Sequence, residues 1–489
     1  MCCLATNVAA QTAVARKHAE TLLAPFPASV QESTMISPNL RRIAYVKPTA
    51  AGQQVVVNGQ EQKPYQKVAG LVFSPDGRQL AYAASAGEKW LILLDGKEQG
   101  PYQQVGQPVF SPDGQHLAYV AMLPDGQRAV LLDGKPGKPC EMVFEGTIVF
   151  SPDRRRMAYG ARRPNGWFLV VGEQEFGPYE FLGSSTGLQF SRDGSRLAFA
   201  ALVSKKWCVV LDGKPQPACD NLGPLAFSPD GKRVAYAAVH KDSQKETWRV
   251  VADGKPGNSF DAIGHQTLLF SPDGKHLAYA AQTGAEWCVV LDGKSGPSYD
   301  GIGQVKFSPN SQVLAYVAKR KSTEAVLSEP LRPAAAKPKA AVGPALPAAR
   351  DDRTAAQPAG EAQPIGRDEQ PPRFFDRIGG GTLVFSPSGR HLAYVARSGR
   401  WSFVVADGNR KPRYDMVGYL TFTPDGRYPV YAAVKGKKTC TVVEDKEASH
   451  QYDAIWMPRG EPLRFVGPTR FRYLAVKEGS IYMVEEQLD

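Results

Sequence analysis

Three histidines recur at one position of a repeated motif: His116, His276 and His391 each stand directly before a leucine, just after an SPDG or SPSG turn. An imidazole beside a carboxylate is the usual equipment of general acid–base catalysis or of a metal site. Recurrence at one motif position argues instead for a part in the turn. The remaining histidines, His18, His240, His265 and His450, are scattered, with no HxH, HExxH or His-plus-carboxylate spacing.

Aspartates give a similar picture. Asp76, Asp113, Asp230 and Asp273 each precede glycine in a Ser-Pro-Asp-Gly turn, where Asp bonds its own backbone. A calcium loop needs alternating oxygen ligands, which this spacing lacks, and the Asp-box SxDxGxTW is unmatched. No GxSxG nucleophile elbow is present. Of seven cysteines, Cys208, Cys288 and Cys440 share one strand position, and Cys140 and Cys219 replace the tyrosine of a later strand. They read as small buried hydrophobes, with a Cys208–Cys219 bridge as the alternative. Cys2-Cys3 is a weak lipidation signal, and no CxxC zinc pattern occurs. No catalytic, metal-binding or cofactor-binding residue is assigned.

These residues are positioned by a repeat. A first strand ends at Ile36, Phe73, Phe110, Phe150, Phe190, Phe227, Phe270, Phe307, Phe385, Phe422 and Phe465, at intervals of 37 to 43 residues except between Phe307 and Phe385. Then come the turn, a second strand of LAYAA type, a third such as CVVLDGK, and a fourth of YDGIG type. Asp-Gly after the third strand is a strong signal for a tight hairpin. Each unit is four short antiparallel strands, which predicts an all-β chain of about eleven four-stranded repeats. Gly and Pro are abundant, as turn-rich β proteins require.

Two places depart from the rule. Residues 330–372, rich in Ala and Pro, read as a disordered excursion from one turn between third and fourth strands. They separate repeats at 25–329 from their continuation at 373–489. Residues 1–24 read as a tail. Pro25 to Val30 resembles a fourth strand able to complete the last sheet, whose own chain stops after its third. Closing a circle this way leaves few open edges.

The motif FSPDG(K/R)xLAYAA resembles the WD40-like PD40 repeat family of TolB-type propellers, over nearly the whole chain outside the excursion. The resemblance implies a β-propeller, with sheets packed radially around a channel. Single propellers usually have about four to eight blades, so the expectation is two propellers, with one large ring as the alternative.

The loops between second and third strands are basic: Arg162, Arg163, Lys205, Lys206, Lys241, Lys319, Arg320, Lys437 and Lys438 fall there. With a formal charge of +11, they predict a positive face able to meet an anionic polymer, or a solvated rim. The leading expectation is a non-catalytic scaffold for an unidentified protein partner, TolB-like and without a cofactor. The alternative is a carbohydrate-binding or lyase-like propeller with a site in the central channel. No apolar run is long enough to span a bilayer, and no secretory leader is read at the N-terminus. That places the chain in the cytoplasm by default, or in the periplasm or outside the cell if the true start lies upstream.

Overall fold

The computed structural model describes residues 16–25, 34–144, 146–183, 187–242, 245–331, 373–457 and 463–488. These residues are all-β and form eleven antiparallel sheets. Numbered as blades in chain order, the sheets run over 35–65, 67–102, 104–136, 142–179, 181–215, 221–260, 262–299, 301–330, 377–414, 416–447 and 454–487. Blade 2 shows the plan: Lys67–Phe73, Leu80–Ala86, Lys89–Leu94 and Lys97–Tyr102 lie side by side in chain order.

The turns form as their residues dictate. In the first, the buried Ser74 hydroxyl donates to Asp76 Oδ1 at 2.6 Å and accepts from the Gln79 N–H at 2.9 Å. In the third-to-fourth turn, Asp95 and Gly96 both take positive φ, 47° and 80°. That is the mirror-image hairpin Asp-Gly favours. Asp95 Oδ1 also accepts from the Leu80 N–H at 3.0 Å, tying this turn to the second strand.

Strand 2 sets the packing. Its alternation gives one face Leu, Tyr and Ala and the other face mainly Ala. Leu117 and Tyr119 of blade 3 therefore lie on Ala81, Ala83 and Ile92 of blade 2, and Leu277 and Tyr279 of blade 7 on Ala235, Ala237 and Val250 of blade 6. A buried cluster of this kind joins every consecutive pair of blades. The last cluster brings Val430 of blade 10, Phe471 and Tyr473 of blade 11, and Ile43 and Tyr45 of blade 1 together. The molecule is thus one closed ring of eleven blades, a β-propeller. The expected division into two propellers does not occur, because it would strip a neighbour from apolar faces that are all covered. Laying a large face on an Ala face keeps adjacent sheets close, which suits a smaller rotation per blade than a ring of four to eight requires.

Arginine adds a second tie between blades. Arg233, at the position His276 holds in the next blade, bonds Asp253 at 2.8 Å and lies 5.0 Å from the Phe270 ring centre. Its Nη1 also reaches the Gly274 and Lys275 carbonyls in the turn of the next blade, at 3.1 and 2.8 Å. Arg196 repeats the arrangement onto Lys232, and Arg156 onto Ser195.

The ring is closed by Lys17–Pro25, which pairs antiparallel with Ser480–Gln487 as the fourth strand of blade 11. An N-terminal strand does complete the last sheet, but it lies upstream of the expected position, within residues read as tail. Leu23 supplies the apolar anchor that seats in the seam. Residues 26–30 of the expected strand lie outside the described residues, as do Cys2, Cys3 and the excursion from 332 to 372.

Candidate functional site

The groups that looked capable of chemistry are held in structural bonds. His116, His276 and His391 each place Nδ1 at 2.7 Å from Oδ2 of the Asp in the neighbouring hairpin, Asp133, Asp292 and Asp407. The turn aspartates accept from Ser and from backbone N–H groups. For Asp113 and Asp230, the serine hydroxyl is the foremost influence holding the carboxyl below its ordinary range. Asp193, which also accepts from Ser195, is lowered to about 2.

Cys140, Cys208, Cys219, Cys288 and Cys440 are buried free thiols, so no Cys208–Cys219 bridge is present. Burial pushes the Cys219 thiol up to about 11 and the Cys440 thiol to about 12. They are packing residues, inert at neutral pH. Among the described residues no group of three or more His, Cys, Asp or Glu could hold a metal ion.

A further carboxylate series escaped the sequence reading. Directly after the fourth-strand anchor residue comes Asp220, Asp261, Asp300, Asp376, Asp415 or Asp453. Each accepts the backbone N–H of a turn between second and third strands: Asp261 from Gly284 at 2.7 Å, Asp376 from Gly399 at 2.6 Å, Asp415 from Gly436 at 2.8 Å. The signal was an acidic residue at fixed spacing after Phe260, Tyr299, Phe375, Tyr414 and Tyr452.

Those carboxylates stand among the basic loop residues. Arg162 lies 3.7 Å from Glu141, Arg163 2.7 Å from Glu175, Lys241 2.9 Å from Glu246 and Lys438 2.6 Å from Asp453, while Lys206 pairs with Asp220. Lys205, Lys319, Arg320 and Lys437 form no ion pair among the described residues, and Arg320 lies over the Tyr299 ring at 5.1 Å. The basic rim is therefore interleaved with acid around the ring.

Among the described residues, blade 9 gathers the most guanidinium groups without acid partners at one corner. Trp401 opens its third strand, at the position Lys89, Lys206 or Glu286 holds elsewhere. Arg400 lies 4.3 Å and Arg413 5.0 Å from the Trp401 ring centre. Arg377 and Arg397 are direct cross-strand partners beside them, an unfavourable like-charge pairing unless an anion relieves it. Arg377, Arg397, Arg400 and Arg413 are in no ion pair among the described residues, and Asp376 beside them caps Gly399. The exposed Met416 begins the next strand along the chain, on blade 10. The corner thus combines fixed guanidinium groups with a partly exposed indole.

The first strands, which line the axis of a propeller, hold little that could act chemically. Among the described residues they and their bulges carry no carboxylate and one histidine, His265. Lys306 is spent on the Leu383 carbonyl of blade 9 at 2.8 Å. In blades 4, 7 and 9 the first strand bulges, and Thr147, Thr267 and Thr382 pin the bulge. Each donates its hydroxyl to a carbonyl of its own bulge and accepts an N–H of the second strand. The wider Val143–Phe150 interval, against Val105–Phe110, was the sequence sign of these insertions.

No protein-family model matches the chain, and no curated protein matches it. Similar solved structures include a eukaryotic initiation factor, at 14% identity over 92% of this chain and 98% of that one, with a TM-score of 0.38. TolB from Acinetobacter baumannii is 14% identical over 59% of this chain and 76% of its own, with a TM-score of 0.24. The Kuenenia stuttgartiensis hydrazine synthase is 13% identical over 60% and 94%, with a TM-score of 0.27.

Proposed function

We propose that this propeller is a non-catalytic platform for protein–protein interaction, and that the arginine corner of blade 9 is its docking point. The observation that carries this reading is the pair of guanidinium groups on Trp401, beside the like-charged Arg377–Arg397 pairing. Trp and Arg are the side chains most enriched where binding energy concentrates in protein interfaces. Stacking on the indole orders the arginines beforehand and lowers the entropy cost of meeting a partner. The partner such a corner fits is an acidic protein surface with an apolar centre. The TolB-like and PD40 character of the scaffold rests on the FSPDG…LAYAA motif, and the non-catalytic reading on the commitment of His116, His276, His391 and the turn aspartates to structural bonds.

The test is affinity capture with the full chain and its Trp401→Ala and Arg400→Glu variants, with thermal unfolding as the control for folding. A partner retained by the parent protein and lost by both equally stable variants supports the reading. Identical captured sets from parent and variants would sink it. Retention of heparin in place of any protein, falling steeply with added salt, would shift the assignment to polyanion binding.

A further inference from the structure

Blade 8 is the one described blade that ends on its third strand. That strand, Thr323–Pro330, pairs on its inner side with Val313–Arg320. On its outer side Glu324 exchanges both backbone hydrogen bonds with Phe375, each at 2.8 Å. Phe375 occupies the anchor position that Tyr102 holds opposite Trp90 in blade 2. Backbone groups alternate along an antiparallel strand, so Val326 and Ser328 turn their N–H and C=O outward as well. In other blades the fourth strand satisfies these places: Gly137 donates to Val130, Gln216 to Val209 and Ala448 to Thr441. Among the described residues nothing does so in blade 8.

Blade 11 shows how such an edge is filled. Its third strand, Ser480–Gln487, likewise runs on without an Asp-Gly turn, and Lys17–Pro25 adds along its whole length. The two receiving strands share a further feature. Tyr473 donates to Glu486 at 2.6 Å, and at the same register Tyr316 donates to Glu329 at 2.7 Å. In blade 11 this glutamate receives Arg16, the residue directly before the added strand, at 3.3 Å. Glu329 is in no ion pair among the described residues. Thr441, which also holds Arg16, corresponds to Val289 in blade 7, so in blade 8 the recognition of a cation falls to Glu329.

We propose that blade 8 is a strand acceptor. An extended segment of a partner protein, with Arg or Lys just before its first paired residue, adds antiparallel to Thr323–Pro330. Val326 and Ser328 supply the backbone hydrogen bonds, and Glu329 selects the cation. The inference deepens the platform reading by naming a kind of partner, and takes its purpose, not its geometry, from that reading.

The experiment uses the full chain and a synthetic peptide of residues 16–25, the sequence this fold already accepts on such an edge. Amide hydrogen exchange is followed residue by residue. In the free protein the Val326 and Ser328 amides exchange fast, and the peptide slows both in a saturable way. Ser328→Pro abolishes that binding while leaving the unfolding temperature unchanged, because the lost N–H points away from the blade. Glu329→Gln weakens binding about tenfold, and keeps the test decisive should the proline variant fold poorly. Three results overturn the proposal: slow exchange at both amides before any peptide is added, protection at Ile481 and Met483 of blade 11 instead, or unchanged affinity in both variants. None of them touches the capture experiment, which reads Trp401 and Arg400.

Discussion

Arg16 and Glu486, 470 positions apart in the chain, meet at 3.3 Å where the ring closes, and both side chains are almost wholly buried. Glu486 also accepts from Thr441 and Tyr473, each at 2.6 Å, and lies 3.0 Å from His450. Arg16 further donates to the Lys446 carbonyl at 2.7 Å, so it ties the last two blades to the N-terminal strand. A buried ion pair is weak evidence of net stability, but breaking one leaves an uncompensated charge and costs about 3–5 kcal/mol. Arg16→Ala is therefore expected to lower the unfolding temperature and to open the seam to protease near Leu23. Urea unfolding with limited proteolysis checks it; an unchanged midpoint would show that the added strand contributes little.

The same cluster sets the acid response. Burial alone would push the Glu486 carboxyl up, but the nearby His450 imidazole and the hydrogen bonds from Thr441 and Tyr473 hold it below its ordinary 4.5. Arg16 faces it from the N-terminal strand, and Glu20, Lys477, Tyr452 and His18 lie around the rim of the cluster. A carboxyl whose folded value is depressed contributes stability that is present above the unfolded value and lost as pH falls through the folded one. The turn aspartates, Asp193 at about 2 among them, act in the same direction, though more weakly because they are exposed. Stability should thus fall as pH drops below 4.5. Glu486→Gln should be less stable at neutral pH and show a shallower acid decline. Unfolding midpoints taken across the acid range would read both slopes, and parallel curves would refute the linkage.

Arg233 and His276 hold one repeat position by different means. The histidine bonds only its own hairpin aspartate at 2.7 Å, whereas the arginine also reaches the next blade's turn carbonyls and the Phe270 ring. Arg233→His should keep the Asp253 bond and lose the inter-blade contacts, at a cost of about 1–2 kcal/mol. Arg233→Lys should not restore them, since an ammonium lacks the planar fork. Denaturant midpoints of the two variants, compared with a His276→Arg variant expected to gain stability, decide the matter.

How much of this could be read from sequence depended on whether the signal was local. The Asp95-Gly96 hairpin, the Ser74–Asp76 turn and the alternation in Leu80–Ala84 each lie within a few residues, and all three appear as their chemistry dictates. Ring closure was legible as a need for a fourth strand. Its location was missed because Lys17-His18-Ala19-Glu20 looks polar and strand-poor, and is ordered by Arg16 and Leu23 reaching the distant seam. Blade number per ring was also misjudged, since it depends on the wedge angle between sheets, which no single repeat encodes. The blade 9 corner stayed hidden because Trp401, Arg413 and Arg377 converge only through pairing across four strands.

That wedge angle is itself open to test at Ala237, a wholly buried residue of blade 6 in the cluster with Tyr279 and Cys288 of blade 7. If the wide ring depends on a small residue opposite each tyrosine, added volume there cannot be absorbed without pushing the two blades apart. Ala237→Leu keeps the position apolar and strand-compatible, so a simple hydrophobic-content view would make it neutral or favourable. The ring geometry instead predicts a loss of about 1–3 kcal/mol from overpacking. Pairing it with Tyr279→Ala should recover part of that loss, although Tyr279→Ala alone costs about 3–5 kcal/mol, as large aromatic truncations do. A double-mutant cycle in urea measures the coupling. Coupling near zero would mean that blade spacing is set elsewhere than by the Ala237–Tyr279 contact.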